Sequence, residues 1–228
     1  MTGTSPPPGH LRADAAHNRR ALLHAAAATF AEQGMDAPIA QIAARAGVGK
    51  GTVFRHFATK AQLVAAIFCD QLDELSSIGT TLLDAADPAA ALSDFMTAGV
   101  ELQSRDRSFC QAANGIARTD PAVRAASARL SETAEALTAR ARRQGTVRDD
   151  VTGADIVLLL GAACQAAAPV AAAAPELWRR YLAVIIDGLR PEGAHPLPHP
   201  APTGAQFTAA AAAAETATGS AQRATPAS

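Results

Sequence analysis

From Ile39 to Phe57 the chain changes direction once, at Ala46-Gly47-Val48-Gly49, between two stretches whose apolar residues recur at helical spacing. In PIAQIAARA, residues Ile39, Ile42, Ala43 and Ala46 stand at i, i+3, i+4 and i+7, which is one face of a helix. After the turn, Val48, Val53 and Phe57 are spaced to point back into the same core. The bend falls on Gly47, a residue that adopts positive φ without a Cβ penalty. Two helices joined by so short a turn predict a helix-turn-helix. A rival reading exists, because AGVGKGT (Ala46 to Thr52) contains the Gly-Lys of a phosphate-binding loop, G-x-x-x-x-G-K-[ST]. In such a loop the glycines let backbone N–H groups close on phosphates, the lysine meets the outer phosphates and the hydroxyl holds magnesium. Here Ala44 occupies the position of the first glycine, and Gly51 replaces the Ser or Thr after Lys50. A buried strand should precede the loop, whereas a helical period precedes this one. The turn is the better reading.

Composition agrees with helices. Hydrophobic residues make up 49% of the 228, yet aromatics only 4%, so Ala, Leu, Val and Ile must fill the core. Alanine is the strongest helix former, and alternating β-branched runs are scarce, so the expected class is all-α. The net charge of −1 is unevenly spread: residues 10–60 hold seven Lys/Arg against three acids, and residues 61–190 hold twelve Arg against sixteen acids. A basic first quarter on an acidic body suits a chain whose one end meets a polyanion, although a solvated mixed surface would give the same count. Cys69, Cys110 and Cys164 are odd in number and lack a C-x-x-C pair, which fits buried thiols in a reducing compartment. The Pro-rich start lacks the pattern of a secretory signal. The longest small-apolar run, AACQAAAPVAAAAP, is short and broken by proline, so no membrane partner is expected. The expected location is cytoplasmic.

Four parts are expected along the chain. Residues 1–13 and 191–228, rich in Pro, Gly, Ala and Thr, cannot bury enough surface to offset ordering and are expected to be disordered tails, save for a conceivable short helix over Ala209–Glu215. Residues 14–60 form a helix-turn-helix head and 61–190 a larger helical body, about nine helices in all. The first helix stops at Gly34. Pro38 opens the second, and Lys50–Phe57 is the third. Thr59-Lys-Ala-Gln62 is a capping box for a fourth. Asp87-Pro88 starts a fifth and Asp120-Pro121 a seventh, with a sixth over Asp106–Arg118 and two more over Asp155–Ala168 and Glu176–Leu189.

With Val53 and Phe57 turned inward, Lys50, Gly51, Thr52, Arg55 and His56 face out. Lys or Arg can pair with guanine acceptors, Thr can touch a thymine methyl or a phosphate, and His can donate to phosphate. Each has a plainer reading: His56 as a bond to its own helix end, Lys60 as a surface charge, and Phe54 as part core. Leu22 to Gly34, Ile42-Ala43, Ala46 through Phe57, and Lys60 together resemble the DNA-binding domain of the TetR family of bacterial transcriptional regulators, over about residues 17–67. DAPIAQIA and Asp87-Pro88 with Glu101-Leu-Gln are most similar to its SbtR-like subgroup. The resemblance implies that Lys50, Gly51, Thr52 and Arg55 face the major groove. It also implies that Phe54, His56 and Lys60 meet phosphates, helped by the N-terminus of the fourth helix. Arg45, with Arg19 and Arg20, is a further electrostatic contact. Two departures from the family stand out. Phe54 replaces a common tyrosine and cannot donate to phosphate, and Ala37-Pro38 stands where a hydroxyl is frequent.

The same resemblance implies a body with an apolar pocket for a small-molecule effector of unknown chemistry. Candidate lining residues are Phe95, Met96, Gly99, Phe109 and Cys110, with ordinary core as the alternative. It further implies a homodimer built on the last two helices through Ile156, Leu160, Ala163, Trp178, Leu182 and Ile185, unless that stripe is wholly internal. No G-x-S-x-G, H-E-x-x-H or paired Cys/His spacing occurs, so neither enzyme chemistry, nor a metal, nor a cofactor is expected. The resulting expectation is a ligand-responsive repressor acting as a homodimer on a pseudo-palindromic, double-stranded operator. Two rivals are a small-molecule carrier whose head has lost DNA binding, and a nucleotide-dependent enzyme using AGVGKGT.

Overall fold

The computed structural model describes residues 8–105, 120–207, 209–210 and 212–213. Among these there are eight α-helices and no strand: α1 Pro8–Gln33, α2 Ile39–Arg45, α3 Lys50–His56, α4 Lys60–Leu82, α5 Pro88–Arg105, α6 Pro121–Arg143, α7 Gly153–Ala167 and α8 Trp178–Gly188. A 3₁₀ turn, Ala168–Val170, follows α7. The helix expected over Asp106–Arg118 lies outside the described residues. The chain divides into two compact units between Asp70 and Gln71, inside α4.

In the first unit, Leu22, Leu23, Ala26, Ala27 and Phe30 of α1 form a stripe at helical spacing. They bury against Ile42 and Ala43 of α2, Val53 of α3, and Leu63, Val64 and Ile67 of α4. Gly34, at φ +80°, ends α1 and donates its N–H to the carbonyl of Phe30. At the end of α2, Gly47 has φ +68° and donates to Ala44, while Val48 donates to Ala43. This double closure is a Schellman motif; it satisfies carbonyls that the helix end would orphan and reverses the chain in a few residues. At the start of α4, Thr59 accepts from the N–H of Gln62, and the Gln62 side chain accepts from Ala58, one residue earlier than a standard box.

The second unit packs Phe95, Met96 and Val100 of α5, Leu130, Ala134 and Leu137 of α6, Ile156 and Leu160 of α7, and Trp178 and Leu182 of α8 into one core. Asp87 caps α5 through the N–H groups of Ala89 and Ala90, and Asp120 caps α6 through Ala122 and Val123 with Pro121 in the first turn. Thr152 and Asp155 form a reciprocal capping box on α7, so that helix begins two residues earlier than Asp155. Cys164 is buried and Cys69 half-buried, while Cys110 lies outside the described residues.

Two features bear on the composition reading. Gly153–Val170 has the length and mean hydropathy, 1.6, of a membrane span by composition alone, although no unbroken apolar run signals it. One face of this stretch is core; the opposite face carries the exposed Leu158. Past α8, the Arg148 guanidinium bridges to Asp150 and donates to the carbonyl of His195, and the N–H of Leu197 donates to Asp150 at 3.2 Å. The chain is thus tied down at His195 and Leu197. Helical turns also occur at 204–207, exposed to solvent.

Candidate nucleic-acid interface

α3 has only seven residues, and two anchors fix its orientation. Val53 is buried within it and Phe57 caps its end, both inside the first unit's core. Around them Lys50, Gly51, Phe54, Arg55 and His56 are exposed and Thr52 is half-buried. The expected outward set is therefore brought onto one face. Arg55 donates through a terminal nitrogen to the Thr52 hydroxyl at 3.3 Å, a contact that steers the long guanidinium along the helix. The Lys50 ammonium lies 5.8 Å from the centre of the Phe54 ring, one helical turn on. Phe54 is 48% exposed, so it is not core. The His56 and Phe57 rings lie 6.1 Å apart, and the Arg19 guanidinium sits 5.5 Å from the Phe57 ring. Arg19 thus adds a cation beside the end of α3.

Two expected backbone contacts are already engaged within the head. The Arg45 guanidinium makes a two-pronged bond to Glu32, at 2.6 and 2.9 Å. This bond holds the Glu32 carboxyl below the usual carboxylate range and raises the arginine further. The pair neutralises much of the field Arg45 would present to a phosphate. The Lys60 ammonium donates to the carbonyl of Met35 at 2.8 Å and lies 5.8 Å from the Phe30 ring centre. It straps the loop after α1 to the start of α4 and keeps donors to spare, since an ammonium carries three. Neither partner could be read from the sequence, because Glu32 and Met35 are 13 and 25 residues away. The first-turn N–H groups of α4 lack intrahelical acceptors and carry the positive end of the helix dipole, which suits an anion.

AGVGKGT is a helix C-cap followed by a helix start, with α2 before it where a phosphate loop requires a strand. That local structure removes the basis of the nucleotide reading.

The body's expected residues fall differently. Phe95, Met96 and Gly99 are buried, and a Cβ on Gly99 would come within 2.7 Å of Leu160 Cδ1, so these positions are close-packed. Phe109 and Cys110 lie outside the described residues. Among the described residues of the set, Met96 alone also lines an open cleft of about 410 Å³, with Leu92, Val147, Ile186 and Leu189 among its walls. The expected dimer stripe lies on the internal side of its helices. Ile156, Leu160, Ala163, Trp178 and Leu182 are at most 3% exposed in the chain's own core, and Ile185 is half-buried. The apolar stripe of α8 is its core face, whereas α7 is apolar nearly all round, so packing alone decides which of its sides lies inward. The faces left outward carry Leu158, 51% exposed, and Val184, 64% exposed.

Comparison with known proteins agrees with this geometry. Residues 22–67 match the model of bacterial regulatory proteins of the tetR family, and residues 87–191 match the C-terminal domain of SbtR-like transcriptional regulators. The chain is 50% identical over 70 residues to the HTH-type transcriptional repressor Rv3405c of Mycobacterium tuberculosis, a match spanning 30% of this chain and 35% of that protein. The curated relatives are thus matched over about a third of their own length. A TetR regulator of Streptomyces coelicolor, SCO0520, superposes with a TM-score of 0.62 at 27% identity, covering 76% of this chain and 98% of that one. The TetR transcription regulatory protein of Mycobacterium vanbaalenii superposes with a TM-score of 0.60, covering 79% of this chain and 99% of that one. At 39% identity over that length, and with the head geometry described above, the chain belongs to the TetR family of bacterial regulatory proteins.

Proposed function

We propose that this chain is a DNA-binding transcription regulator, a repressor, working in the cytoplasm as a homodimer on a pseudo-palindromic operator and without catalytic activity of its own. One observation carries the reading: α3 turns Lys50, Gly51, Thr52, Phe54, Arg55 and His56 outward while Val53 and Phe57 anchor it from behind. A helix about 10–12 Å across fits the major groove. His56, Lys60, Arg19 and the N-terminus of α4 supply backbone contacts, with Arg45 a weaker one through its bond to Glu32. The outward faces of α7 and α8, with Leu158, Gly161 and Ala162 on one and Tyr181 and Val184 on the other, support an isologous contact between two copies. A small-molecule effector, bound in the body at the cleft that Met96 lines, would release the operator by favouring one spacing of the paired heads.

The deciding experiment selects bound duplexes from a random pool with the full chain. A recovered site with two-fold symmetry, bound with an affinity that falls steeply with salt through counterion release, supports the reading. Recovery of no sequence at any salt, or turnover of ATP with magnesium, would overturn it. The engagement of Arg45 and Lys60 within the head favours one alternative, a carrier whose head no longer binds DNA, and the same selection excludes or establishes it.

A further inference from the structure

We infer that Phe54 is a specificity-determining residue, its ring seated on the 5-methyl group of a thymine in the major groove. The inference rests on the DNA-binding reading above and adds a base to it.

The ring is an anomaly on its helix. Val53 and Phe57 already anchor α3 from behind, and Phe54 stands outside that core. It is 48% exposed on a face otherwise made of Lys50, Gly51, Arg55 and His56. Full burial of a phenylalanine side chain is worth roughly 1.5–3 kcal/mol, and with about half of the Phe54 surface still exposed a partner that covers it gains part of that. Phenylalanine has no donor and cannot hold a phosphate oxygen. Among the groups that distinguish bases in the major groove, the one apolar substituent is the thymine methyl; the others are hydrogen-bond donors and acceptors. The neighbouring Lys50 ammonium, 5.8 Å from the ring centre, sets the ring beside a cation that a phosphate or a guanine can take up. Arg55, bonded to the Thr52 hydroxyl, is the next residue along α3 and leaves the helix about 100° around from Phe54.

The test uses the operator recovered by selection. Each thymine in turn is replaced by deoxyuridine, which removes one methyl and keeps every hydrogen-bonding group. The chain is expected to lose about fourfold in affinity at one thymine of each half-site, the equivalent of one buried methyl. Phe54→Ala is expected to bind the natural site more weakly and to be indifferent to that replacement. Phe54→Leu, which keeps an apolar side chain, should retain part of the methyl dependence and guards against a misfolded Ala variant. A uridine scan that is flat in the native chain overturns the inference. So does a scan in which the native chain and Phe54→Ala lose the same amount, because the ring would then rest on sugar or protein. The parent reading fails separately, by recovery of no operator; an operator that depends on Arg55 with a flat uridine scan overturns only the role of Phe54.

Discussion

Arg55 is the side chain on α3 best placed to distinguish bases, since it is exposed, cationic and guided by its bond to Thr52. Arg55→Ala is expected to cost about 1–3 kcal/mol at one base pair of each half-site and to relax discrimination there. Binding measured on operators varied at every position checks this: uniform weakening would identify a phosphate contact instead. A second residue-scale prediction concerns Asp150. Its bonds to the Arg148 guanidinium, then to the N–H of Leu197, lower its pKa from 3.8 to about 2. A carboxyl depressed in the folded chain stabilises it above the unfolded value and loses that contribution as pH falls through the folded one. The tie to Leu197 should therefore hold above about pH 4 and open between about pH 4 and pH 2, seen as a loss of amide protection at Leu197 relative to its intrinsic exchange rate at each pH (ordinary acid unfolding being monitored in parallel by circular dichroism). At this scale the inward and outward positions of α3 were legible, because spacing alone sorts them. The bond of Arg45 to Glu32 and that of Lys60 to Met35 were not, because partners brought together by tertiary packing leave no local pattern.

At the scale of elements, the turn at Gly47 decides where α3 points. An L-residue at φ +68° carries a cost of roughly 1–2 kcal/mol, although a Cβ there would meet no neighbour within 4 Å. Gly47→Ala should therefore lower the stability of the head by about that amount through backbone strain rather than collision. Thermal denaturation gives the loss, and a disproportionate drop in operator affinity would reveal that α3 has been re-aimed. Helix starts were the most readable elements: Asp87-Pro88, Asp120-Pro121 and Thr59 each act through short-range bonds that a few residues specify. The face assignment of α7 was not readable. Ile156, Leu160 and Ala163 form a fine apolar stripe, but so do Leu158, Gly161 and Ala162 on the other side. In a helix apolar nearly all round, periodicity names no preferred side, and only the packing of α5, α6 and α8 selects one.

For the whole molecule, the proposed homodimer would cover the outward apolar side chains of α7 and α8. Leu158→Asp, or Val184→Glu, should leave the helical content unchanged, since neither residue is in the core, yet shift the mass in light scattering from two copies to one. Operator affinity should fall sharply in the same variants, because one head alone forfeits the second half-site. A native chain that is monomeric at micromolar concentration would remove the proposed assembly. The end of the chain carries a different lesson. In His195-Pro196-Leu197-Pro198, the prolines leave Leu197 as the sole amide donor after His195, and Asp150 takes it while Arg148 takes the carbonyl of His195. The grip is on main-chain atoms, so it is blind to which side chains occupy 195 and 197. Such a latch tolerates drift in composition yet not a third proline at 197, and a low-complexity stretch can thereby be fastened at a fixed place.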